Sequence, residues 1–231
     1  MSSEHKTVRL FHTFASLPQH LSPLLADVEH VKRLTQKIIY FDQFGSQRLP
    51  PFYQEECTPS LKTITSPFLK TLKIWETDLE VGKAKFQQLL ENTSLEALLI
   101  LMGQRHTSAS VTDEQGIPPL ESQLLASFNA LHKHTLRVGA RAWCKHANRS
   151  KENFWGEVKG NDEYKNQLAL EMFNKIYQNC TWWNTFEHYK HGLVFEMRVQ
   201  SGHGARWTKN GETFIGFLEP FIDDSKPYTT F

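Results

Sequence analysis

The sequence predicts an α+β protein. Helices fill the first half; a long basic helix, a second helix and a small, mostly antiparallel sheet with a late hairpin fill the second. Three observations carry this. Apolar residues recur at three- and four-residue spacing through the first hundred positions. Alternation with period two begins only at Gly192. A tight-turn signal, Lys209-Asn210-Gly211, then separates two short apolar runs.

The elements follow in chain order. Leu21, Leu24, Leu25, Val28, Val31 and Ile38 mark an amphipathic helix. Gly45, Pro50, Pro51 and Pro59 interrupt regular structure after it. Helical spacing returns from Ser66 to Asn92, and Ser94–Gln104 is a short apolar helix or a buried strand. Residues 105–119 are small, polar and punctuated, which makes them a loop or linker. The 231 residues read as one domain with a soft boundary there: helical over 1–104, α+β over 120–222, and a tail over 223–231.

From Leu120 a long helix is expected, with Leu124, Phe128, Leu131, Val138 and Ala142 as its apolar stripe. A second spans residues 160–179, capped by Asn161 or Asp162 and burying Leu168, Met172 and Ile176. In the strand over 192–199, Leu193, Phe195, Met197 and Val199 face one way, and Val194, Glu196 and Arg198 the other. In the last strand Phe214, Gly216 and Leu218 oppose Ile215, Phe217 and Glu219, and Gly216 marks a bulge or a close approach.

The formal charge of +1 excludes a partner chosen by net charge alone. No secretory signal opens the chain and no apolar run reaches the roughly 18 residues of a membrane span. Cys57, Cys144 and Cys180 are widely spaced and odd in number, as suits free thiols. A cytoplasmic or nucleocytoplasmic protein, without membrane partners, is the expectation. No zinc-ligand spacing, P-loop, dinucleotide fingerprint or nucleophile elbow is present, so neither a metal nor a cofactor is expected.

Charge distribution is more informative. No acidic residue occurs from Ser122 to Lys151, where Lys133, Arg137, Arg141, Lys145, Arg149 and Lys151 fall together with His132, His134 and His146. On one helix this row winds from solvent at Lys133 toward the apolar stripe at His146. A desolvated cation there needs an anion: Glu196, Glu219 or a ligand phosphate. The stretch Gly202-His203-Gly204-Ala205-Arg206-Trp207 offers backbone N–H groups and a planar guanidinium suited to an anion. The alternative is a structural brace in which Arg198 or Arg206 pairs with Glu196 or Glu219.

Two functions of different class follow. One is an anion-binding pocket in the C-terminal half for a phosphorylated small molecule, a nucleotide or an RNA end, with or without catalysis. Arg141, Lys145, Arg149, Arg198, Arg206 and Trp207 would bind the ligand. His146, His203, Glu196 and Glu219 are the acid–base candidates. The other is a non-catalytic interaction protein whose Arg, Glu and Trp clusters are structural and whose helical half meets a protein partner. The separating observation is whether Arg141, His146 and Arg149 meet segment 196–206 around an open cleft.

Overall fold

Helix caps and strand register explain most of the architecture. The computed structural model describes residues 8–13, 23–45, 56–150 and 153–220. The predicted tail lies outside these residues, as do Pro50 and Pro51. Two units divide the chain: residues 1–51, 55–120 and Asn184–Glu187 form one, and residues 52–54, 121–183 and 188–231 the other.

The N-terminal unit is helical. A 3-10 turn, Pro23–Ala26, precedes α1 (Val28–Phe44). Asp27 caps α1 by accepting from the Glu29 N–H, and Val31, Leu34 and Ile38 form its buried stripe. The helical pattern from Ser66 to Asn92 divides at Asp78, whose extended backbone ends α2 (Leu61–Thr77) and whose carboxylate caps α3 (Leu79–Glu91). Gly82 allows the two helices to touch, because a Cβ there would lie 2.3 Å from the Trp75 Cα. The ambiguous apolar run is helix α4 (Leu95–Leu101), capped by Ser94. Within this unit Arg105 pairs with Glu56 at 2.5 Å, and both are buried.

The C-terminal unit supplies the α+β character. Here α5 (Glu121–Phe128) ends where one long basic helix was expected to continue. A hairpin intervenes, β1 (Leu131–Lys133) and β2 (Leu136–Arg137), before α6 (Val138–Ala147). Leu131, assigned to the apolar stripe, is exposed. His134 takes a left-handed φ of 52° at the turn. The Asn166 side chain from α7 (Asp162–Gln178) holds the hairpin through the Thr135 carbonyl and the Arg137 N–H.

The sheet runs in the order β3 (Cys180–His188), β4 (Gly192–Val199), β5 (Gly204–Thr208), β6 (Phe214–Leu218). β5 is antiparallel to both neighbours. The segment around Arg206, read from sequence as suited to an anion, is strand. A bulge shifts register so that Arg206 faces Gly216 while Trp207 faces Phe214. Ile215 is the extra residue. This places Phe214 and Phe217 on one face with Ala205 and Trp207, correcting the simple alternation. Phe128, Phe173 and α6 pack on that face. Gly139 lies against the Phe128 ring, with no room for a Cβ.

Candidate functional site

Two glutamates in the C-terminal unit organise everything charged around them. The first is Glu196, in the middle of β4 and opposite Arg206 in the ladder. Arg206 Nε donates to its Oε2 at 2.8 Å, and Arg198 Nε donates to its Oε1 at 2.5 Å. The carboxylate is buried and both of its oxygens face guanidinium groups. Arg198 also donates to the backbone carbonyls of Gly202 and Glu219. Glu196, Arg198 and Arg206 thus form the brace that was the alternative to a ligand site.

The second is Glu219, the residue after β6. The pairing of Gly204 with Leu218 places the preceding His203 opposite Glu219. α6 brings His146 to the same point from its last turn. His146 Nδ1 lies 3.0 Å from Glu219 Oε1, and His203 Nε2 lies 3.7 Å from Oε2. The Trp155 indole N–H donates to Oε1 at 2.9 Å. Exposure is graded across this cluster: the side chain of His203 is 4% exposed, His146 17% and Glu219 41%. The carboxylate, and the imidazole against it, are reachable from solvent.

The rings are held from several sides. Phe154 stacks on His203 with centroids 3.8 Å apart, and Ser201 Oγ lies 2.9 Å from His203 Nδ1. Trp155 and Phe217 pack against His146. The Trp143 indole donates to the Trp155 carbonyl, tying this loop to α6. Pre-set partners of this kind hold an imidazole in one orientation, as acid–base chemistry requires.

Three of the four acid–base candidates, His146, His203 and Glu219, therefore meet at one point, and Glu196 sits in the neighbouring brace. Arg141, Lys145 and Arg149 are exposed along one side of α6 and its exit, one turn apart. Arg149 Nε donates to the Lys145 carbonyl. Trp207, expected to meet a ligand, is wholly buried, and its indole donates to the Leu124 carbonyl: it fills the core between sheet and helices. Cys144 is half-buried, and burial raises its thiol pKa, the opposite of an activated nucleophile.

Phe154 and Ser201 were missed from sequence. The available signal was the run Asn153-Phe154-Trp155-Gly156, two aromatics directly before a turn beside the acid-free segment.

Residues 125–219 match the family model described as CdiA C-terminal tRNase toxin domain. The segment contains both glutamate nodes, α6 and α7, so the C-terminal part of the chain is similar to an RNA-acting toxin domain. Among solved structures, one match is the toxic C-terminal tip of CdiA from Pseudomonas aeruginosa, in complex with its immune protein. It is 30% identical, spans 41% of this chain and 99% of that one, and has a TM-score of 0.36. No curated protein matches the chain. Among the described residues no helix is long and apolar enough to cross a membrane.

Proposed function

We propose that residues 125–219, the segment similar to tRNase toxin domains, cleave RNA of the tRNA class by acid–base catalysis at the His146–Glu219 pair. One observation carries this reading. A solvent-reachable carboxylate touches one imidazole and approaches a second, inside the matched segment. The proton demands of RNA cleavage fit such a pair. A ribose 2′-hydroxyl attacks the adjacent phosphorus, the new O–P bond forms, and the bond to the 5′-oxygen breaks. Glu219 takes the proton from the hydroxyl and imidazolium His146 returns one to the leaving oxygen. Arg141, Lys145 and Arg149 supply exposed cations for the flanking phosphates. Arg198 is a positioning residue: its bonds to the Gly202 and Glu219 carbonyls fix the strand ends that present His203 and Glu219.

The test is direct. Wild-type protein mixed with purified tRNA should yield discrete fragments on a denaturing gel. His146→Ala and Glu219→Gln should each slow cleavage by about 10²–10⁴-fold. Glu219→Gln should move the melting temperature by less than about 2 °C, because that side chain is 41% exposed and keeps its shape, whereas His146→Ala removes a mostly buried ring from against Trp155 and Phe217 and should lower it by roughly 2–8 °C. Intact tRNA after incubation with wild type, or full activity in both variants, would overturn the proposal.

A further inference from the structure

Beside the cluster lies a cavity of about 360 Å³ that acid–base chemistry alone does not use. Its walls include Phe154, Trp155 and Tyr164, with Lys159, Glu171 and Lys175 among its polar groups. Two of these residues also belong to the candidate site. Phe154 stacks on His203 and Trp155 donates to Glu219. The cavity and the acid–base pair therefore share a wall.

We infer that this cavity holds the nucleobase next to the scissile phosphate. The inference rests on the RNA-cleaving reading and names the part of the substrate it leaves open. Size is the first argument. The volume is at the small end of the range for ligand sites, about 300–1,000 Å³, enough for one base and its ribose. The lining is the second. Tyr164 offers the aromatic face on which any base can stack, with little regard to sequence, while Phe154, covered by His203 and Lys175, and the buried Trp155 shape the wall. Tyr164 is 43% exposed, and its ring lies against Gly160, whose positive φ and missing Cβ leave space for it. Lys175 sits 4.0 Å above the Phe154 ring, a cation–aromatic pair that holds this wall in place. Charge is the third. Glu157 and Glu171 offset Lys159 and Lys175 in the lining, so the cavity carries no net charge and suits a neutral group better than a phosphate. A neutral base fits inside, and its phosphate is directed toward the cations and Glu219.

Tryptophan fluorescence, reporting on Trp143 and Trp155 in the wall, measures binding without cleavage. The probes are adenosine 5′-monophosphate and ribose 5-phosphate, which has no base. The nucleotide should bind wild type at least about tenfold tighter than the sugar phosphate. Tyr164→Ala should weaken nucleotide binding about 5- to 100-fold. In tRNA cleavage the same variant should raise KM and leave kcat unchanged. Equal binding of both probes, or no effect of Tyr164→Ala, overturns the base pocket even if tRNA is cut. Base-dependent binding by a protein that leaves tRNA intact would sink the nuclease reading and keep the pocket. The two failures are thus distinguishable.

Discussion

Glu196 and Glu219 are the same residue type, one within the sheet and one directly after its last strand, linked through Arg198, and they have opposite surroundings. Glu196 is 1% exposed and meets two guanidiniums. Glu219 is largely open and meets imidazoles and an indole N–H. Arginine remains charged at any pH of interest, so the Glu196 group is a permanent ion cluster with no proton to give. Histidine gains and loses its proton near neutrality, so the Glu219 group can move one. Neighbour chemistry and exposure, more than the glutamate itself, separate a brace from a candidate catalytic centre.

The largest expected effect tests the brace. Glu196→Ala strands the buried Arg198 and leaves the partly buried Arg206 without its carboxylate, and removing one partner of a buried pair typically costs about 3–5 kcal/mol. That corresponds to a melting temperature lower by roughly 6–20 °C. Glu219→Gln should leave melting nearly unchanged and slow cleavage by about 10²–10⁴-fold instead. Thermal melts of the two variants side by side check this. A Glu196→Ala protein as stable as wild type would mean that Arg198 and Arg206 are adequately hydrated without it, and the contrast would collapse.

How much of this contrast was legible in the sequence depends on the element. Period-two alternation located β4, and with it the side-by-side placement of Glu196 and Arg198. The candidates at the second node were also nameable, because His146 closes an acid-free segment and Glu219 follows an apolar strand. Pairing them was not possible. The register that sets His203 opposite Glu219 depends on ladder hydrogen bonds between β5 and β6, which leave no local trace. The bulge at Ile215 is similar: Gly216 hinted at it, but only the register shift explains why Phe214 and Phe217 share a face. The basic hairpin misled for a physical reason. Leu131 and Val138 fit a helical stripe, while the contacts that stop the helix come from Asn166 and Asp162, about thirty residues away.

A smaller effect sharpens the role of Arg206. Its Nε and a terminal nitrogen both reach Glu196 Oε2, and the side chain is 16% exposed. Arg206→Lys keeps the charge and loses the fork. One charge-assisted hydrogen bond lost from a mostly buried pair is worth about 1–2 kcal/mol, a shift of roughly 2–8 °C. The rate of tRNA cleavage should stay within about twofold of wild type. A variant with unchanged melting but weakened RNA binding would move Arg206 from the brace to the substrate site.

The smallest effect is electrostatic, and it asks whether the two nodes are separate. His188, at the end of β3, has its pKa lowered below the usual histidine value, first by desolvation and then by the charge of Arg206, while Glu196 pulls it back upward. A folded pKa below the unfolded value means that the unfolded chain takes up the proton first as pH falls. The stability linked to His188 is therefore complete above the unfolded value near 6.5 and declines as pH drops toward the folded one. His188 is close to the surface, so the consequence for stability is slight and the titration itself is the better measurement. Followed by NMR, the His188 ring should titrate at higher pH in Arg206→Gln, which removes the repelling cation. Glu219→Gln should leave it unmoved, because Glu219 is not among the charges that shift His188. If Glu219→Gln moved the titration as far as Arg206→Gln did, the brace and the acid–base cluster would be one electrostatic unit. The assignment of structural work to Glu196 and proton transfer to Glu219 would then fail together.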